Sequence, residues 1–357
     1  MNLATKILLG LGLFGLSLSL AFYFSTYHPA DIQQEPFVSP AEAPSLTKGQ
    51  KVKVLSWNVQ FMAGKNYVFF YDPWDGSGPD LRPSPKDISA TFDEVARMIR
   101  AEDPDIILLQ ELDEGAARTD GEDQLKRLLK QLPSSYVSHT TAWYWKAAFV
   151  PHPQIMGSVG MKLAVISKYR IENAVRYQLP LMPNNLIVTE FQFKRALLEA
   201  RFPVAGGKPF SAMSIHQDAF AQGSDTMQRQ VTLVSKILSE KEAAGDSWII
   251  GGDFNLLPPV RSIYDRLPEA EKPYFQPDSE IARLFDSFSA LPSVAMVSGP
   301  EASRYFTHWP NTAKAADRTI DYFFLSNQAT TENFRVRQED TGRISDHYPL
   351  IVEYVLP

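Results

Sequence analysis

Apolar and polar positions follow three patterns along this chain, and each predicts a different kind of element. Residues 51–60, KVKVLSWNVQ, alternate with a period of two and read as a strand. Residues 106–109, IILL, within the strand DIILLQE (105–111), and 248–250, WII, are unbroken apolar runs instead, as in strands covered on both faces. At 89–101 the apolar positions Phe92, Val95, Ala96 and Ile99 share one helical face. The same patterns predict helices over 122–131 and 223–244 and strands over 160–167, 210–216, 319–326, 333–338 and 350–356. Residues 190–202, EFQFKRALLEARF, pass for a short helix on composition, and 260–291 suggest short helices joined by proline-rich turns. Helices and strands interleave, which predicts an α/β fold.

Two segments break these patterns. Residues 61–86 are rich in Gly, Pro and Asp, which disfavours regular structure, and a loop this long inside a compact domain is usually functional or disordered. Its aromatics, Tyr67, Phe69, Phe70, Tyr71 and Trp74, suit a substrate or membrane surface. Residues 136–150 hold the densest aromatic patch, TAWYWKAAFV; core packing is the default for it, and an apolar rim for a lipid-like substrate is the alternative. Tyr264, Tyr274 and Phe275 are further candidates for cleft walls.

The N-terminus has its own pattern. Lys6 precedes 18 uncharged residues, 7–24, a length that can cross a bilayer. The charge bias places the N-terminus in the cytoplasm and the rest outside. The cluster Phe22, Tyr23, Phe24 and Tyr27 resembles an interfacial belt and favours an uncleaved anchor. The rival is a cleaved signal peptide, with Ser19-Leu20-Ala21 as its small-residue cleavage site. The expected organisation is an anchor or signal segment over 1–28, a proline-rich tether over 29–50 and one catalytic domain over 51–357, extracytoplasmic in either case.

Polar residues gather where the apolar runs stop. After Trp248-Ile249-Ile250, Gly251 and Gly252 permit close backbone approach, and Asp253 and Asn255 follow on one face of an extended segment. Alone, GDFN is as well explained by an Asx-rich turn. Comparable polar ends occur at Ser56-Trp57-Asn58, Gln110-Glu111, Ser214-Ile215-His216 and Ser345-Asp346-His347. A carboxylate at the end of a buried run, such as Glu111, is costly without a cation or charged partner. The same cost applies to Asp321 within TIDYFFLS.

With these five segments in order from about residue 52 to 355, the chain resembles the endonuclease/exonuclease/phosphatase superfamily. That resemblance implies a four-layer α/β sandwich, two mixed sheets face to face with helices outside, and a strand rather than a helix within 190–202. It implies metal ligation by Glu111, Asn58 and Asp346, and substrate contacts from Asn58, Asn255 and His216. Catalytic roles fall to His216, Asp253, Asn255, Asp321 and His347, with Asp321 fixing the His347 tautomer. Gln60 stands where some nucleases carry a metal-binding Asp. Residues 304–309 resemble a strand and loop before the aspartate motif; His308 has no assigned role. Lys194 or Arg195 is either a phosphate contact or a solvated basic pair.

Composition narrows the substrate. With 44% hydrophobic residues the chain can bury a large core, and its zero cysteines exclude disulfides, zinc thiolate sites and cysteine catalysis. A net charge of -6 and the lack of a Lys/Arg-rich run argue against broad, charge-driven nucleic-acid binding. The expectation is a Mg²⁺-dependent phosphodiesterase with one or two divalent cations, Mn²⁺ serving as an alternative. A lipid headgroup is the leading substrate, DNA or RNA the second. A non-catalytic binding module on the same fold is the third reading. Partners are then a phosphoester substrate and a membrane reached through the N-terminal helix, with no protein partner.

Overall fold

The structure is a computed structural model and describes residues 2–67, 82–219, 221, 223–311 and 313–357. The loop aromatics Phe69, Phe70, Tyr71 and Trp74 lie outside the described residues. The elements begin with helix α1 (Leu3–Ser25) and three short strands, β1 (Ile32–Gln34), β2 (Phe37–Val38) and β3 (Leu46–Thr47). They continue with β4 (Lys51–Asn58), α2 (Pro85–Glu102), β5 (Ile106–Asp113), α3 (Gln124–Gln131), β6 (Ser138–Val150), β7 (Gly157–Ser167) and β8 (Asn173–Gln178). Next come α4 (Leu186–Phe191), β9 (Ala196–Phe202), β10 (Val204–Ala205), β11 (Phe210–His216), α5 (Thr226–Ala244) and β12 (Ser247–Asp253). The last third holds α6 (Arg261–Asp265), α7 (Ala282–Ser287), β13 (Ser289–Leu291), α8 (Val294–Ser298), β14 (Asp321–Leu325), β15 (Thr330–Val336) and β16 (Leu350–Val355).

These strands make two mixed sheets of seven, ordered β15-β16-β4-β5-β7-β6-β2 and β1-β8-β9-β11-β12-β14-β13. The expected α/β sandwich is therefore present. Alternation along each central strand explains the layers. Val54, Ile106, Leu108, Ile249 and Val352 point between the sheets, where one core lies. Leu55, Trp57, Ile107 and Leu109 point the other way, under α2 and α3 with Phe92, Val95 and Ile99. Trp248 and Ile250 face α5, against Val231, Val234 and Leu238. Strands buried on both sides need apolar residues at every position, which is why 106–109 and 248–250 show no alternation.

One open choice falls to the strand that the resemblance implies, and two expectations differ from what is observed. Within 190–202 the helix α4 stops at Phe191, and residues 196–202 are strand β9, antiparallel to both β8 and β11. Sheet pairing overrides the helical composition of ALLEARF. Residues 304–309 form no strand; a 3-10 turn over Ala302–Tyr305 is followed by isolated bridges at His308. Residues 29–50, expected as a tether, are stitched to the domain. There β1 pairs with β8, β2 with β6 and β3 with β10.

Candidate active site

The two sheets deliver their polar strand ends to one edge of the sandwich. In the second sheet His216, Asp253 and Asp321 are register neighbours on adjacent strands β11, β12 and β14, so they stand in a row. Gly252 makes that row possible. Its φ is +154°, and a Cβ there would lie 2.0 Å from the Ile215 carbonyl oxygen of β11. At Gly251 a Cβ would lie 2.5 Å from the Phe323 ring on β14.

In the first sheet Asn58 ends β4 opposite Gln110 of β5. The β5–β7 register slips between Leu109 and Leu112, and Glu111 takes φ +61° in that bulge. Such positive φ is uncommon for a non-glycine residue, and here it lets neighbouring side chains diverge. Gln110 is fully buried and donates across the sandwich to Ser214 Oγ (2.9 Å), while Glu111 keeps 18% of its side chain open.

The loop before β16 supplies the remaining groups. Ser345 Oγ donates to the Asn58 carbonyl (2.8 Å) and accepts from His347 N (3.1 Å). Trp57 Nε1 donates to the His347 carbonyl (2.9 Å), so the loop is pinned to the end of β4 from both sides. Gln60 also braces it, accepting from Asp346 N (3.3 Å) and donating to the Tyr67 carbonyl (2.8 Å).

The side chains converge on the Asp253 carboxylate. Asn58 Nδ2 donates to Asp253 Oδ2 (3.2 Å) and to Glu111 Oε1 (3.0 Å), bridging the sheets, while Asn58 Oδ1 accepts from Gln60 N (3.0 Å). His216 Nε2 lies 3.3 Å and His347 Nε2 lies 3.5 Å from Asp253 Oδ2. On its other side His347 Nδ1 faces Asp321 Oδ2 at 2.9 Å. Asn255 donates its backbone N–H to Asp253 Oδ1 (2.9 Å) and its side-chain amide to the Gln217 carbonyl (3.2 Å).

Burial and like charge then set the protonation. Asp253 is desolvated, with Asp321 and Glu111 nearby; although the His347 charge opposes them, its carboxyl is pushed up to about 7. Burial alone would lower His347, but Asp321, Asp253 and Asp346 hold its imidazolium well above the ordinary range. His216 goes the other way: burial, with the Arg195 and His347 charges beside it, holds it well below, so the ring is neutral. Its Nδ1, 3.3 Å from the Tyr144 hydroxyl, can accept a hydrogen bond there, leaving Nε2–H for Asp253.

All eight residues predicted for the site meet at this edge, and the structure adds three more. Tyr144 comes from the aromatic run, where the choice between core and rim gave no hint of a hydrogen bond to His216. His308 has its Nε2 3.8 Å from Asp346 Oδ2, with its ring centroid 4.7 Å from that of His347. Arg195, expected as a solvated residue or a phosphate contact, is buried. Its Nε lies 3.5 Å from Asp218 Oδ1 and its Nη1 has no hydrogen-bond partner among the described residues. Lys194 is buried too, its ammonium turned to the Thr189 carbonyl. Tyr264 and Phe275 pack instead on a small apolar cluster around Leu257, Ile263 and Ile320.

A cluster of carboxylates faced by histidines fits a hard divalent cation. Glu111 and Asp346 are the two carboxylates left partly open, 18% and 17% exposed. Burial and the Asp346 charge push the Glu111 carboxyl up, the destabilised state that a cation relieves. At Asp346 burial is outweighed by His308 and the His347 charge, which hold its carboxyl down at about 2. The triads His308/Asp346/His347 and Asp253/Asp321/His347 also bring ligand atoms within 4.8 Å of one another.

Residues 55–347 match the model of the endonuclease/exonuclease/phosphatase family. The chain belongs to that family. It is accordingly a metal-dependent phosphoric ester hydrolase. Solved structures of similar fold include an endonuclease/exonuclease/phosphatase from Beutenbergia cavernae, at 18% identity and TM-score 0.59, covering 86% of this chain and 72% of that one. The human Nocturnin catalytic domain with bound sulfate is similar at 16% identity and TM-score 0.53, covering 90% and 96%. A family protein from Leptotrichia buccalis is 15% identical with TM-score 0.53, covering 85% and 99%. No curated protein matches the chain.

Proposed function

We propose that this family member hydrolyses a phosphodiester carried by a membrane lipid, at the cluster centred on Asp253. The observation that carries the reading is the 3.5 Å approach of two groups whose pKa values are both raised, Asp253 to about 7 and His347 well above the ordinary imidazole range. One can accept a proton near neutral pH while the other holds negative charge.

In this reading Asp253 takes a proton from the attacking water, oriented with the help of Asn255. The water oxygen bonds to phosphorus, and the opposite P–O bond breaks with its electron pair leaving on the alcohol oxygen. Asp321 holds the His347 ring by Nδ1, so Nε2–H points at the phosphoryl group and stabilises its charge. His216, neutral, donates from Nε2, and Tyr144 fixes that tautomer. Arg195 brings a guanidinium next to His216, held in place by Asp218, with an Nη1 that has no hydrogen-bond partner among the described residues. Glu111 and Asp346, braced by Asn58 and His308, would hold a divalent cation, taken to be Mg²⁺, whose chemistry when bound would be to polarise a phosphoryl oxygen.

The lipid assignment rests on different observations. Helix α1 is 23 residues long with mean hydropathy 2.1 in its most apolar window, enough for a membrane span; a signal sequence passes the same test. We take it as an uncleaved anchor, with the catalytic domain outside the cytoplasm. Net charge -6 offers nucleic acid no general attraction.

The test uses the full chain, because truncation within 29–50 removes strands of both sheets. Reconstituted protein with Mg²⁺ is offered sphingomyelin or phosphoinositide vesicles and, separately, plasmid DNA. Headgroup release without DNA cleavage is expected. DNA cleavage without lipid turnover overturns the lipid assignment and keeps the hydrolase.

A further inference from the structure

Among the described residues of the catalytic domain the most exposed large apolar side chains belong to α4, which the end of α1 touches, and to the β6–β7 turn; Val294 of α8 is exposed to a lesser degree, at 39%. Helix α4 carries Leu186, Ile187 and Val188 at 86%, 66% and 44% exposure, and none of its residues is buried. A short surface helix with three consecutive exposed aliphatics has no folding reason to keep them. Phe149, near the end of β6, is 45% exposed, and Met156, in the turn to β7, is 60% exposed.

The C-terminal end of α1 is fixed to this same helix. The Phe22 ring meets Phe191 edge to face, with centroids 5.3 Å apart. Thr26 Oγ1 donates to Glu190 Oε2 (3.1 Å), and His28 Nε2 pairs with the same oxygen at 3.3 Å. Glu190, the acid of α4, is thereby drawn towards the α1 end and away from the apolar side chains. Thr26 also bridges Ala147, two residues before Phe149. A chain leaving a bilayer at Thr26 would bring α4 and the β6–β7 turn to the membrane surface.

From that surface the route to the site is short. Trp145 Nε1 donates to the Phe191 carbonyl (2.7 Å), the Phe193 ring packs on Trp145 (4.4 Å), and the Arg195 guanidinium lies 4.3 Å from the Phe193 ring centre. Tyr144, next in the strand, reaches His216.

We infer that α4 and the β6–β7 turn form a membrane-seating surface, whose occupant is the interfacial region of a phospholipid bilayer, and that it holds the active-site edge against the lipid headgroups. This deepens the reading of α1 as an anchor and rests on it. The commitment to a bilayer comes from continuity: the exposed aliphatics adjoin the end of the one described helix long and apolar enough to span a membrane. A surface of this kind binds by shallow insertion of its apolar side chains among the headgroups.

The chain has no cysteine, so single reporters can be placed cleanly. Ile187→Cys, Leu13→Cys in α1 and Lys236→Cys on α5 are each labelled with an environment-sensitive fluorophore. The full chain is then reconstituted in phosphatidylcholine/phosphatidylglycerol vesicles. The expected result is quenching by spin-labelled lipid at positions 187 and 13, and none at 236. A buried probe at 13 with an aqueous probe at 187 overturns the seating surface and leaves the anchor intact. An aqueous probe at 13 removes the anchor and the inference with it.

A second measurement is independent of labels. The double variant L186S/I187S should lose about tenfold or more in turnover of vesicle-borne substrate while cleaving bis(p-nitrophenyl) phosphate at the parental rate. Equal rates on vesicles for variant and parent overturn the proposal.

Discussion

The catalytic edge and the α1/α4 end of the molecule are built on opposite principles. At the edge, carboxylates and imidazoles are removed from water; at the α4 end, aliphatic side chains are left in it. Both arrangements are unfavourable for the isolated chain. The contrast shows how a structure without ligands can still indicate what it binds, because a buried charge calls for a counter-charge and an exposed apolar surface calls for an apolar medium. The two ends should therefore respond to different perturbations.

The sharpest separation is in turnover. Asp253→Ala or His347→Ala should lower kcat by about 10³-fold or more without unfolding, since both proton transfer and charge stabilisation pass through this pair. Unchanged turnover with an intact circular-dichroism spectrum contradicts the assigned roles. Arg195→Met should cost roughly 10²-fold in kcat/KM, with Arg195→Lys in between, if its unpaired N–H serves the phosphoryl group. A pure packing role for Arg195 predicts a lowered melting temperature in its place.

Stability against pH tests the edge alone. A folded-state carboxyl pushed up to about 7 keeps a proton that the unfolded chain releases near pH 4. Its stabilising contribution is complete below about pH 4 and is lost as pH rises through about 7. Metal-free Asp253→Asn should therefore match the parent near pH 4 and exceed it by about 2–4 kcal/mol at pH 8, read by urea unfolding. A constant difference across that range removes the electrostatic account of Asp253. In the same assay, saturating Mg²⁺ should stabilise the parent by about 3 kcal/mol at a hundredfold excess over Kd, and Glu111→Gln should abolish most of that gain.

At the α4 end the expected effect on folding is the smallest. L186S/I187S should leave thermal stability within about 0.5 kcal/mol of the parent, since exposed side chains add little to the fold. A larger loss means that α4 packs more tightly than its exposure indicates.

Much of the frame was legible in residue order. Period two at 51–58 and the apolar run at 106–109 report a strand's two faces directly, and the observed β4 and β5 follow them. Most of the site residues stood at the ends of such runs, where polarity changes abruptly, and Asp321 stood within one. Helix composition misled at 196–202, because ALLEARF lies between β8 and β11 and pairing on both sides overrides propensity. Residues 29–50 look like a tether on proline content, yet their pairing partners lie more than a hundred residues further on.

Sequence by itself determined the alternation of elements, the close approach permitted by Gly251 and Gly252, and the polar cargo at each strand end. These are local properties, fixed by periodicity and by the absence of a side chain. Tertiary structure alone decided that Asn58 meets Asp253 across 195 residues of chain, that Tyr144 and His308 join the site, and that the two site histidines shift in opposed directions, His347 up and His216 down. The physical reason is that sheet-to-sheet register and desolvation depend on everything packed around a group, and no single stretch of residues contains that information.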